Sequence, residues 1–255
     1  MQAPALPRLR PFGDAALIVE LGNAISPEIS ARVLGFAQAL LAGMARGEWP
    51  GVIECVPAYC SVTVHFDGRS DKVDPSQHAA GLLALAQAAA PLVQPGRQWR
   101  IPACFDEDLA PDLHSLAEAR GLSAQQVVEL MTGTPFRVYM LGFMPGFPYM
   151  GGLPAALEMP RRSSPRAAVP ERSLAVAGRM CAVYPWRSPG GWHLLGRTPV
   201  RLFDASDSAE PALLRAGDEV RWLAIDRRQF DEMQAHCEAG LLGRKDWLAT
   251  ASTLP

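Results

Sequence analysis

Three short segments within about sixty residues combine residue types suited to gripping an anion. The first, LGFMPGFPYMGGLP (141–154), sets Gly142, Gly146, Gly151 and Gly152 among Phe143, Phe147 and Tyr149. Four glycines and three prolines, Pro145 among them, imply backbone that turns tightly or lets a ligand come close. The second, YPWRSPGGWHLLGRTP (184–199), contains Ser188-Pro189-Gly190-Gly191, a run suited to exposing successive backbone N–H groups as an anion-binding nest. Between them, PRRSSPRAAVP (160–170) carries Arg161, Arg162 and Arg166, whose planar guanidinium groups read carboxylate or phosphate bidentately. Arg197 and His193 extend this set, the histidine because it directly follows the Gly-Gly-Trp loop.

Charge placement sharpens the reading. Only Lys72 and Lys245 are lysines, and the other 22 basic residues are arginines. Eight arginines and one acid, Glu171, lie between Arg161 and Arg201, a local charge of +7 in a chain whose net charge is −2. Taken singly, Gly/Pro loops are turns between strands, aromatics such as Phe143, Phe147 and Trp192 are core, and arginines protect sheet edges. Their coincidence in a chain otherwise acidic favours a concave anion-binding site. The negative total and the lack of a reader motif argue against DNA or RNA. His65, His78, His114 and His236 occupy strand or helix positions that suit solvated or capping side chains.

Several chemistries are excluded. The chain has no G-x-x-x-x-G-K-[ST], G-x-G-x-x-G, G-x-S-x-G, S-x-x-K or H-E-x-x-H, so no cofactor is expected on this chain alone, and any ATP is bound by a partner. Five widely spread cysteines (Cys55, Cys60, Cys104, Cys181, Cys237) without a C-x-x-C or histidines at ligand spacing offer neither a disulfide framework nor a metal site. No run approaches the roughly 18 apolar residues of a membrane span, and the start lacks a basic region followed by an apolar core. A cytoplasmic protein is expected.

The elements that must position these loops fall into two parts. Residues 1–95 read as a small α+β domain of order β-α-β-β-α with an antiparallel sheet. Its strands are at Ala16–Leu21, Val52–Val56 and Ser61–Phe66. Ser26-Pro27-Glu28 opens an amphipathic helix that Gly47 stops, DGRSDKVDP forms a polar turn, and Ser76–Ala90 forms an Ala/Leu helix followed by a QPGRQ linker. Residues 96–240 open with a strand at Trp99–Ala103 and two short helices. Pro111–Arg120 ends at Gly121, and Ser123 with Gln126 caps the helix reaching Met131. Short β-type runs follow at Phe136–Leu141, Leu174–Ala177, Ala182–Tyr184, His193–Leu195, Val200–Phe203 and Val220–Ile225, the spacing of a closed barrel or a sandwich. A helix over Asp226–Glu238 and a loose tail, 241–255, complete the chain.

The strings RVYMLGFMPGFPYMGGLP, PRRSSPR, SPGGWHLLGRTPVRLFD and LLRAGDEVRW, in that order, closely resemble the allophanate hydrolase subunit 1 family, which includes KipI and the PxpB proteins of 5-oxoprolinase. The likeness runs from Pro11 to Ile225. It implies an α+β N-terminal domain followed by a cyclophilin-like β-barrel domain, one half of a carboxyltransferase domain working beside a second half. PxpB-type members act with PxpA-like and PxpC-like subunits in the ATP-dependent opening of 5-oxoproline to glutamate. KipI-type members inhibit a sensor histidine kinase instead, and other relatives act on urea or allophanate. A PxpB-type subunit of 5-oxoprolinase, acting on a small anionic substrate, is the favoured expectation. Arg161 and Arg166 would then hold the carboxylate or a phosphorylated intermediate, Gly190 and Gly191 would donate N–H groups, and Phe147 with Trp192 would exclude water. No nucleophile or general base stands out.

The chain departs from the family pattern in several places. Cys60 stands for the usual arginine, Met131 for histidine and Phe136 for tyrosine. Glu171-Arg172 replaces a turn that usually reads Ala-Gly, and Arg179-Met180-Cys181-Ala182 replaces Gly-Gln-Thr-Gly.

Overall fold

Alternation of apolar and polar side chains builds the first sheet. In a computed structural model that describes residues 6–69, 74–92 and 96–249, β1 (Arg8–Pro11), β2 (Ala16–Glu20), β3 (Val52–Pro57) and β4 (Ser61–Phe66) pair antiparallel in the order β1-β2-β4-β3. Val62, Val64 and Phe66 are buried while Thr63 and His65 are half-buried, the signature of a sheet with one covered face. That cover is α1 (Pro27–Ala45): Ser26 Oγ accepts from the Ile29 amide at 3.2 Å, and Val33, Phe36 and Leu40 pack with Val19 and Leu21. Strand β1 is an addition to the expected elements, hidden in the sequence because Arg8 and Arg10 break its apolar pattern. Both arginines pair with Glu20 on β2. A 3₁₀ turn at Pro75–His78 takes the first turn of the expected second helix, leaving α2 at Ala79–Ala88. The polar turn and the linker fall partly outside the described residues.

The contacts divide the chain into two units, Met1–Gln94 and Pro95–Pro255. In the second, β5 (Gln98–Cys104), α3 (Leu113–Arg120) and α4 (Ala124–Gly133) precede a run of strands. These are β6 (Phe136–Leu141), β7 (Pro148–Gly151), β8 (Arg166–Val169), β9 (Ser173–Ala177), β10 (Met180–Val183), β11 (Ser188–Gly190), β12 (His193–Arg197) and β13 (Glu219–Ile225). β5 and six of these strands close into a barrel in the order β10-β7-β6-β13-β5-β12-β9, and β8 pairs with β11 in a separate ribbon. Closure settles the barrel-or-sandwich alternative. Only β13 with β5 runs parallel among the paired barrel strands; the other pairs are antiparallel.

The barrel interior is filled by Trp99, Ile101, Val138, Leu174, Val176 and Trp222, and Leu116, Val127 and Met131 of α3 and α4 join the same core. The expected capping box of α4 is present, with Ser123 Oγ accepting from the Gln126 amide and Gln126 Oε1 accepting from the Ser123 amide. Met131 and Phe136 are wholly buried in this core, which accounts for apolar residues at two of the family departures. Cys60 is half-buried, and its carbonyl accepts from the amides of Leu21 and Gly22. Arg172 has φ +64°, a left-handed conformation that explains why glycine suits that position.

Three expectations are corrected. Val200–Phe203 is not a strand and makes one isolated bridge, Phe203 to Ala212, because Pro199 and the following turns leave it no ladder partner. The tail is not loose over 241–249. After α5 (Arg227–Glu238) a short α6 (Arg244–Trp247) buries Trp247 against the barrel core, and Leu248 bridges to Trp99. The SPGG segment is not an open nest: Ser188–Gly190 forms β11, Gly190 pairs with Arg166, and neither Gly190 nor Gly191 has a positive φ.

Candidate functional site

The Gly/Pro-rich segment after β6 is a tight turn. Phe143 has φ +68° and Gly146 φ +76°, and the Phe147 amide donates to the Met144 carbonyl at 3.1 Å. Gly146 is obligatory twice over, since a Cβ there would also lie 2.8 Å from Cβ of Phe203. Gly142 and Pro145 belong to the same turn, while Gly151 ends β7 and Gly152 follows it. The turn delivers Phe147 into a small aromatic cluster. Its buried ring stands edge-on to Tyr184 (5.2 Å between centroids) and Trp192 (6.1 Å), and tilted against Tyr149 (4.9 Å).

These rings floor a cavity of about 350 Å³ lined by Phe143, Phe147, Tyr149, Arg161, Tyr184 and Trp192, with Pro165, Pro189, Gly190 and Gly191 closing its side. Five of the eight expected binding residues, Phe147, Arg161, Gly190, Gly191 and Trp192, therefore meet around one space. Arg161 supplies its positive charge, with the guanidinium carbon 5.9 Å from the Trp192 ring centroid. Burial pushes the phenols of Tyr149 and Tyr184 above the usual tyrosine range, with Arg161 opposing in both cases, so both stay protonated at neutral pH.

Arg166, His193 and Arg197 do not line this cavity. Arg166 Nη2 lies 2.7 Å from Asp112 Oδ1, and Arg162 Nη1 lies 3.1 Å from the same oxygen. The other oxygen, Oδ2, accepts from the Leu194 amide at 2.7 Å. Asp112 is buried, and a buried carboxylate requires such pairing. Burial raises its pKa, but the hydrogen bonds from Arg166 and Leu194 and the charges of both arginines outweigh that effect and hold it below the usual carboxylate range. Arg166 is thus a partner of Asp112. His193 Nε2 lies 2.9 Å from the Pro160 carbonyl and tethers the segment that carries Arg161. Arg197 Nε donates to the Glu171 carbonyl at 2.9 Å, at the end of β12 opposite Cys104.

Nothing in its local sequence marks Asp112 as part of this arrangement. It sits at the start of α3, 54 residues from Arg166 and 82 from Leu194, and its role exists only in the fold. Tyr184 is visible in the sequence only as the first residue of the 184–199 segment and the end of a short β-type run. Arg172 and Arg201 line a different cleft of about 380 Å³ with Glu171, Asp204 and Glu238, where carboxylates answer their charge. Among the described residues no group of three or more His, Cys, Asp or Glu side chains is placed to hold a metal, and no helix is long and apolar enough to cross a membrane.

Residues 7–214 match the family model described as carboxyltransferase domain, subdomain C and D. The chain belongs to this family. Within it, this carboxyltransferase-domain chain is 35% identical over 233 residues to the B subunit of 5-oxoprolinase from Bacillus subtilis, an alignment covering 88% of the chain and 95% of the relative. It is 36% identical over 213 residues to the corresponding 5-oxoprolinase protein of Escherichia coli O157:H7, which carries the same name, covering 83% and 93%. Among solved structures, TTHA0988 superposes with a TM-score of 0.69 at 36% identity, covering 86% of this chain. The chain spans about two fifths of the TTHA0988 chain, 40% of its length.

Proposed function

We propose that this chain is the B subunit of an ATP-dependent 5-oxoprolinase, a cytoplasmic assembly that opens 5-oxoproline to glutamate with PxpA-like and PxpC-like subunits. In this reading the first unit is an α+β domain and the second a cyclophilin-like barrel. The observation that carries the reading is the meeting of Arg161 with an aromatic floor in one small cavity, in a chain whose relatives carry that name. The substrate is a five-membered lactam bearing one carboxylate. Its carboxylate calls for a guanidinium, and its ring for a dry apolar wall such as Phe147 and Trp192 provide.

Ring opening adds water across the lactam C–N bond, giving the side-chain carboxylate and the free amine of glutamate. ATP, held by the partner subunits, takes up a second water in becoming ADP and phosphate and so offsets the cost of opening a stable amide. This chain's part is to fix the substrate carboxylate at Arg161 and to exclude bulk water around the reacting amide. The test is to purify the assembly with and without this subunit and to measure ATP-dependent glutamate formation from 5-oxoproline. Loss of turnover without the subunit and its return on adding it back support the reading. Equal turnover in its absence contradicts it.

A further inference from the structure

The cavity contains a polar group that the sequence does not advertise. Tyr184 follows β10, is only 2% exposed, and yet lines the cavity beside Gly190 and Trp192. Gly190 lies directly over its phenol: a Cβ at position 190 would sit 2.7 Å from Tyr184 Cζ and closer still to the hydroxyl oxygen. Only glycine lets the chain pass this close to the phenol while Tyr184 still lines the cavity. The Phe147 ring, edge-on at 5.2 Å, fixes the orientation of the tyrosine from the other side.

We infer that Tyr184 is a catalytic residue that donates a hydrogen bond from its hydroxyl to the amide oxygen of the bound substrate, where negative charge accumulates as the lactam is attacked or activated. The inference rests on the 5-oxoprolinase reading and extends it. A phenol suits the task because it is a neutral donor whose proton stays on its own oxygen throughout. Burial holds Tyr184 in its protonated form, and the Trp192 backbone and the Arg161 charge oppose that shift without reversing it. The cationic groups nearest in effect are Arg161 and Arg166, both of which favour negative charge around this oxygen, while Tyr149 opposes it. Against the largely apolar lining of this cavity such a fixed donor is worth more than in solution.

The test is Tyr184→Phe in the reconstituted assembly. The variant keeps the ring and its packing and removes one oxygen. The turnover number is expected to fall by about 100-fold, the range seen on losing one oxyanion donor, with KM for 5-oxoproline changed by less than about threefold and the melting temperature within a few degrees. Gly190→Ala supplies an independent arm, since it keeps the tyrosine's chemistry but its methyl group, within 3 Å of the phenol, forces the ring out of place, and a comparable fall in turnover is expected. Wild-type turnover in either folded variant overturns the role of Tyr184 and leaves the 5-oxoprolinase reading standing. An assembly whose turnover does not depend on this subunit at all overturns both.

Discussion

Arg166 lies 2.7 Å from Asp112, and that pair joins β8 to the start of α3. Through the second oxygen of Asp112 the same carboxylate also holds the amide of Leu194 on β12, and through Arg162 it holds the segment carrying Arg161. One buried side chain thus ties together three pieces of backbone that border the cavity. The arrangement separates two arginines five residues apart: Arg161 faces the cavity, and Arg166 maintains it.

Asp112→Asn should destabilise the barrel unit by on the order of 3 kcal/mol, because it leaves two guanidinium groups without their anion in a partly buried setting. Arg166→Ala should cost less, since Arg162 and Leu194 still satisfy the carboxylate. Urea unfolding of the two variants checks this. Equal midpoints for Asp112→Asn and wild type would show the triad to be ornamental.

The same carboxylate predicts a pH dependence. Its pKa in the folded protein lies below the ordinary value of an unfolded aspartate, so the stability it contributes is present above that ordinary value and is lost as the pH falls through the folded pKa. Unfolding free energy should therefore decline on the acid side of the usual carboxylate range, and Asp112→Asn should flatten part of that slope. Parallel slopes in wild type and variant between about pH 5 and about pH 2 would contradict the assignment.

Gly146→Ala should destabilise by more than about 1 kcal/mol, since alanine is strained at positive φ and its methyl would press on Phe203. Because this turn delivers Phe147, the loss of stability should be accompanied by weaker substrate binding. A melting temperature equal to wild type would show that the turn adapts freely.

Much of the framework is legible in the chain itself. Ser26-Pro27 and the Ser123/Gln126 box mark helix starts, and the alternation of Ser61–Phe66 marks a strand, because these signals are local. Strands β1, β7, β8 and β11 are three or four residues long and contain arginine, proline or glycine, so their pairing comes from the partner strand and not from their composition. The site divides in the same way. Aromatic and glycine loops are recognisable by type. Which arginine faces the cavity is decided by Asp112, far away in sequence, and no spacing rule links the two.

Arg161 is the cationic side chain that lines the cavity. In the reconstituted assembly, Arg161→Gln should raise KM for 5-oxoproline at least about tenfold, as expected on removing a charged hydrogen bond worth roughly 1.5–3 kcal/mol. The melting temperature should stay within a few degrees, because the side chain is exposed and its contact with Trp192 is a single cation–ring approach at 5.9 Å. An unchanged KM in that variant would contradict the claim that this cavity holds the substrate carboxylate.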